Sequence, residues 1–340
     1  MQKKASCQIY LFHFSPSLMN TMKNIKKKNI NVPSSLTPIH VLGCLCVLIP
    51  SELFCDTTPF STSGTNKGRL YVNNKDVTID LNGNTINRNL EEAISDGQVF
   101  RIAGSSKLTI VDNSATGNGK ITGGNNDGNG GAFYIDSGSL HINGGEISGN
   151  YATNGAAVYW CSGGNLCITG GVITNNLAKD NGGAVYITNN GKVYFGGTAV
   201  IKNSSRGNVY ISDKDANIYH AKGQADGVPD MPLTEGACIG IYASDSDDTI
   251  SGDNSRFGED DYKYFFSDSD KYYIRRAYDA GGENNEYKLY IDYIENIPEP
   301  APEIMSVAVE GGITQGFGSF EEGWAYAVKQ SISKPTTITM

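Results

Sequence analysis

Gly130-Gly-Ala-Phe-Tyr-Ile135, Gly155-Ala-Ala-Val-Tyr-Trp160, Gly182-Gly-Ala-Val-Tyr-Ile187 and, one residue shorter, Gly207-Asn-Val-Tyr-Ile211 are one motif written four times. The spacings are 25, 27 and 25 residues. A fixed period in this range marks a stacked repeat architecture, in which each unit covers the apolar edge of its neighbour. A second half repeats with the first. Leu140-His-Ile142, Leu166-Cys-Ile168 and Val193-Tyr-Phe195 are each followed by a glycine pair: Gly144-Gly145, Gly170-Gly171 and Gly196-Gly197. An aliphatic residue with asparagine three places on comes next: Ile147 and Asn150, Ile173 and Asn176, Val200 and Asn203. Upstream, Val77-Thr-Ile79 with Ile86, and Leu108-Thr-Ile110 with Ile121, supply the same three aliphatic positions. This reading gives five full coils, with residues 207–211 opening a sixth.

Within each coil the apolar residues alternate with polar ones in short runs, which is strand chemistry. A helical repeat would need an unbroken amphipathic stretch that the glycine pairs forbid. The leucine-rich frame is absent as well. Three short strands per coil, stacked coil on coil, predict an all-β chain folded as a right-handed parallel β-helix. The inward columns are then Val77/Leu108/Leu140/Leu166/Val193, Ile79/Ile110/Ile142/Ile168/Phe195 and Ile86/Ile121/Ile147/Ile173/Val200. Glycines fall where the chain must turn with positive φ. The asparagines line one corner, where stacked side-chain amides can bond to one another.

Composition agrees. The 340 residues include 41 glycines, without the Gly-X-Y period of collagen. The net charge of -9 excludes a nucleic-acid partner, since phosphate binding needs a basic stripe. The basic cluster Lys23, Lys26, Lys27 and Lys28 lies near the N-terminus. The seven cysteines are an odd number at irregular spacing, which is not a disulfide framework. Cys44-x-Cys46 lacks a following ligand pair for zinc. Cys161 and Cys167 fall within one repeat, which leaves both a disulfide and two separate thiols open.

The organisation expected along the chain has five parts. Residues 1–65 form a leader, signal-like or disordered. Its apolar run at 41–49 is too short to span a bilayer, so no membrane span is expected in this chain. Residues 66–245 form the β-helix. Residues 246–297 form an acidic cap rich in β-hairpins. Residues 298–317 are a linker containing Pro298-Glu-Pro-Ala-Pro302. Residues 318–340 read as the start of a truncated second repeat domain, with a helix at 319–328 that places Phe320, Trp324 and Val328 on one face.

The repeats resemble those of pectin-lyase-like right-handed β-helix proteins, in particular adhesin-like surface proteins of anaerobic gut bacteria. Gly182-Gly-Ala-Val185 and Ile173-x-x-Asn176 are similar to the repeats of polymorphic outer-membrane proteins, with Ile in place of their Phe. Residues 68–83 and 117–124 look like opening coils of the same group. The resemblance covers roughly residues 66–245. It implies an extracellular or cell-surface location and a partner that is a carbohydrate or a host or bacterial surface protein.

The chemistry-bearing residues point the same way. A polysaccharide lyase needs clustered carboxylates with an Arg or Lys base on one face. A glycoside hydrolase needs two or three converging Asp residues. Asp136, Arg206 and His141 each stand alone in the repeats, so a non-catalytic module is the reading and a carbohydrate-active enzyme is the alternative. No cofactor and no metal are expected. The acidic residues Asp245, Asp247, Asp248, Asp253, Glu259, Asp260 and Asp261 lack an EF-hand frame and read as a solvated loop, with Ca²⁺ binding as the other possibility. Strand side chains alternate, so Tyr134, Tyr159, Tyr186 and Tyr210 should point outward and stack as one exposed ladder. Ala132, Ala157 and Ala184 are expected two places before the first three rings on the same face. The ladder either stabilises the sheet or serves as a platform for sugar rings or a partner strand.

Overall fold

A computed structural model describes residues 69–188, 192–212, 217–223, 227–243, 250–278 and 287–293. It also gives the backbone of the strands Ser6–His13, Leu36–Leu42, Leu45–Pro50, Met305–Val309, Gln315–Phe317 and Thr336–Thr339. The chain is an all-β parallel solenoid of about seven turns. Three columns of short parallel strands run along it. The first pairs Leu70, Phe100, Phe133, Val158, Val185, Val209 and Ile241 in register. The second pairs Val77, Leu108, Leu140, Leu166, Val193 and Ile218. The third pairs Ile86, Ile121, Ile147, Ile173, Ile201, Ile239 and Phe265.

These columns close on one continuous core. Ile110, Ile142, Ile168 and Phe195 are fully buried one above another, as the repeat predicts. Each fully buried aliphatic or aromatic side chain contributes about 1.5–3 kcal/mol of transfer free energy. Stacking like on like lets each coil seal the next.

One column departs from the sequence reading. Val200 was expected inward, but Ile173 pairs with Ile201, and Val200 pairs with the outward Val172. Ile201 is fully buried, whereas Val200 is half-exposed. The cause is one extra residue in that corner. Ile142 to Ile147 and Ile168 to Ile173 each span five positions, but Phe195 to Ile201 spans six. A one-residue slip moves a strand's apolar set to its other face. The longer corner is held by a later loop: Gly197 N–H donates to Pro232 O at 3.0 Å, and Thr234 N–H donates to Gly197 O at 2.9 Å.

The slip carries into the asparagine corner. Asn150 Nδ2 donates to Asn176 Oδ1 at 3.0 Å, and Gly124 N–H donates to Asn150 Oδ1 at 3.1 Å. The next rung is Ser204, not Asn203: Asn176 N–H donates to Ser204 Oγ at 3.4 Å. Asn203 stands one place earlier, in the column Gly123, Gly149, Asn175, Asn203, where φ is +73°, +67°, +53° and +57°. Only glycine and asparagine visit this left-handed region readily, which explains their alternation there.

The C-terminal end of the solenoid is closed by the antiparallel hairpin Tyr272–Tyr278 with Tyr287–Tyr293. Its Ile274, Leu289 and Ile291 are buried in the main core. Contacts divide the chain after Tyr293. In the second unit, Met305–Val309 pairs antiparallel with both Gln315–Phe317 and Thr336–Thr339. The helix expected at 319–328, with Trp324, lies outside the described residues. So do Asp245, Asp247 and Asp248.

Candidate functional site

The central residues of the first strand column face outward between two inward neighbours. In Phe133–Ile135, Val158–Trp160, Val185–Ile187 and Val209–Ile211 the outer two residues are buried and the middle tyrosine is half-exposed. Parallel pairing sets Tyr134, Tyr159, Tyr186 and Tyr210 directly above one another. Their centroids are 5.5, 5.4 and 5.2 Å apart, with interplanar angles of 15°, 16° and 7°.

The ladder is longer than the four rings read from the repeats. Tyr242 stacks on Tyr210 at 5.4 Å. At the other end Arg101 occupies the same column, with its guanidinium 5.7 Å from the Tyr134 ring and 5.9 Å from the Tyr71 ring. Both are cation–π distances. Gly68-Arg-Leu-Tyr-Val72 repeats the short frame of Gly207-Asn-Val-Tyr-Ile211, so Tyr71 was legible in the motif, whereas Gly240-Ile-Tyr-Ala243 has its glycine directly before the triplet and falls outside that frame.

Stacking determines what the stripe offers. Ring faces are turned along the solenoid axis and covered by the next ring, so solvent meets ring edges and phenol oxygens. Burial, then the neighbouring Cys161, Tyr134 and Tyr186, pushes the Tyr159 phenol up to about 12. Burial likewise raises Tyr134. Tyr134 and Tyr159 are therefore uncharged at neutral pH, and the phenols of the row can donate and accept hydrogen bonds.

Polar rows flank it. On one side lie Asn129, Asn154 and Asn181. Asn154 Nδ2 donates to Asn129 Oδ1 at 3.0 Å, Asn154 pairs with Asn181, and the Tyr159 phenol is hydrogen-bonded with Asn129. On the other side Asp136 pairs with Arg101 at 3.0 Å, so Asp136 is not isolated as the sequence suggested. Ser162 and Thr188 follow on that flank. Ala132, Ala157 and Ala184 do not share the outer face. The chain turns at the preceding glycines, and all three are fully buried in the core.

A second outward column differs. His141, Cys167, Tyr194 and Tyr219 face out from the second strand column, yet all are buried. Val228 packs over Cys167, Tyr194 and Tyr219. Burial pushes the Cys167 thiol up to about 12, which leaves it unreactive as a nucleophile. Burial, with the charge of Lys107, lowers His141 to about 4. Cys161, Cys167 and Cys238 are free thiols. Arg206 is exposed at a corner with φ of +58°.

Among the described residues no three His, Cys, Asp or Glu side chains converge as a metal site, and no helix is long and apolar enough to cross a membrane. No protein-family model, curated protein or solved structure matches the chain.

Proposed function

We propose that this chain is a non-catalytic, extracytoplasmic interaction module of the adhesin-like kind, built on a right-handed pectin-lyase-like β-helix. Its docking stripe is the column Tyr134, Tyr159, Tyr186, Tyr210 and Tyr242 with the Asn129, Asn154 and Asn181 row beside it. The supporting observation is the unbroken ring stack, whose phenol rings repeat every 5.2–5.5 Å from centroid to centroid. A carbohydrate chain lying along the solenoid axis meets that repeat, because one hexopyranose unit has a comparable length. The contact is through ring edges, phenols and amides, since the ring faces are already covered. A partner strand fits less well. Strand addition needs unpaired backbone groups, and the strands bearing Tyr134, Tyr159, Tyr186 and Tyr210 are paired on both sides. The net charge of -9 disfavours polyanions in general.

The test is a glycan array probed with the parent chain and with the double variant Tyr159→Phe/Tyr186→Phe. The variant keeps both rings in the stack and removes two hydroxyls. Each lost hydrogen bond is worth about 0.5–1.5 kcal/mol, so binding should weaken roughly tenfold with unchanged melting temperature. A parent that binds no glycan, or a variant that binds equally well, refutes the proposal. Release of reducing or unsaturated ends from pectin or alginate would favour the catalytic alternative.

A further inference from the structure

The inward column Ile79, Ile110, Ile142, Ile168, Phe195 continues to one titratable residue, His220. It is 2% exposed, and its ring stacks on Phe257 at 5.5 Å with an interplanar angle of 8°. Both ring nitrogens are engaged. Leu233 N–H donates to Nε2 at 2.8 Å. Nδ1 lies 3.1 Å from Arg256 O and 3.2 Å from a carboxylate oxygen of Asp261. A backbone N–H can only donate, so Nε2 must present its lone pair. The ring proton therefore sits on Nδ1, facing two acceptors. One neutral imidazole thus ties its own strand to the loop at 229–233 and to the turn at 255–261. The backbone adds to the same junction, with His220 N–H donating to Ser255 O at 2.8 Å.

We propose that His220 is an acid-operated latch, whose protonation releases the loop at 229–233 and the turn at 255–261 from the last coils of the solenoid. A second proton has nowhere to go but Nε2, where it meets the Leu233 N–H head on. Two donors then face each other in a site closed to water, and the junction must open to relieve them. The surrounding charges are mixed. Asp261 and Asp230 favour the imidazolium, Lys222 opposes it, and the Arg256 side chain lies close by at Gly223. Burial outweighs the acids and holds the ring below its ordinary range. Opening uncovers an aromatic cluster: Phe257 and Phe195 both meet Phe265 edge-on, at 5.5 and 6.1 Å. An acidic medium would thereby turn a sealed end into an adhesive one. The latch does not depend on what the tyrosine stripe binds.

The test is hydrogen exchange by mass spectrometry at about pH 7.5 and about pH 4.5, normalised to the intrinsic rate at each pH. Peptides covering 229–233 and 255–261 should lose protection at least tenfold at the lower pH, while those covering 133–142 stay protected. His220→Gln should abolish that difference. Equal protection at both values, uniform loss along the whole chain, or an unchanged response in His220→Gln overturns the proposal. Should His220→Gln fail to fold, Asp261→Asn decides. Removing the counter-charge makes protonation harder, so the opening midpoint should move about one pH unit lower. An unmoved midpoint rejects the latch.

Discussion

Asn176→Ala separates the observed register from the one that the repeat motif suggests. The Asn176 side chain is buried and saturated. Its Oδ1 accepts from Asn150 N–H at 3.1 Å and from Asn150 Nδ2 at 3.0 Å. Its Nδ2 donates to Ile147 O and Thr174 O, both at 2.9 Å. Alanine removes four bonds at once. Asn150 N–H and Thr174 O lose this partner, while Asn150 Nδ2 still donates to Ile121 O and Ser148 O, and Ile147 O still accepts from Thr174 N–H. Each orphaned buried group costs about 1–3 kcal/mol, but water admitted to the vacated space restores some of the bonds. The expected loss is therefore about 3–5 kcal/mol, among the larger single-residue effects.

Asn203→Ala is the matched control. In the motif Asn203 aligns with Asn176, and equal costs would follow from that alignment. In the fold Asn203 is exposed and sits at φ of +57°, so alanine there costs only the backbone strain of the left-handed region, about 1 kcal/mol. Urea unfolding measures both, read as midpoint shifts at constant slope. A falling slope would mean that coils unfold separately. Asn176→Ala costing less than about 1 kcal/mol, or Asn203→Ala costing as much as Asn176→Ala, would refute the network and its register.

Three further outcomes are expected. Ile168→Asp places an unpaired charge in a fully buried column and should cost at least about 4 kcal/mol, seen as loss of soluble chain or of the unfolding transition. Tyr159→Ser/Tyr186→Ser should lower stability by about 1–2 kcal/mol through lost stacking, whereas the Phe pair should stay within about 0.5 kcal/mol of the parent in the same urea assay. Stability should also fall on acidification because of His141. Its folded-state value is about 4 against an ordinary 6.5. Above 6.5 neither state is protonated. Between 6.5 and about 4 the unfolded chain takes up the proton first, which removes up to about 3 kcal/mol. His141→Leu should flatten that part of the pH profile, and an unchanged slope would contradict the assignment.

Where the chain repeats itself, its fold is legible. Leu140, Leu166 and Val193 recur with the same neighbours, and a period of two leaves each only one face to occupy. The slip at Val200 was not legible, because Val200 and Ile201 are both aliphatic and either satisfies the pattern. The choice is made by Gly197 bonding to Pro232 and Thr234, more than thirty positions later. Alternation likewise assigns His141, Cys167 and Tyr194 to the surface. They are outward, but the segment carrying Val228 shuts part of that column. His220 was missed for the same reason. Its partners Leu233, Arg256 and Asp261 come from segments that match no repeat.

The division has a functional consequence. The repeats alone build a solenoid with several equivalent outward columns, and nothing in their chemistry selects one for binding. The segments at 227–233 and at 250–278 with 287–293 break the equivalence. One carries Val228 over the second column and supplies Leu233 to His220. The other supplies the turn and hairpin that close the end. The tyrosine column stays half-exposed along its length, from Tyr134 through Tyr242, and is bordered by hydrogen-bonding side chains, uncharged at Asn129, Asn154, Ser162 and Thr188 and charged at the Asp136–Arg101 pair. Residues that stabilise a repeat need only stack, and phenylalanine would do that as well as tyrosine. Five consecutive hydroxyls on the open column, against buried aromatic rings in the inward columns at Phe100, Phe133 and Phe195, add polarity where stacking does not require it. The docking stripe is therefore sought in the hydroxyl row, and the Phe variants test it directly.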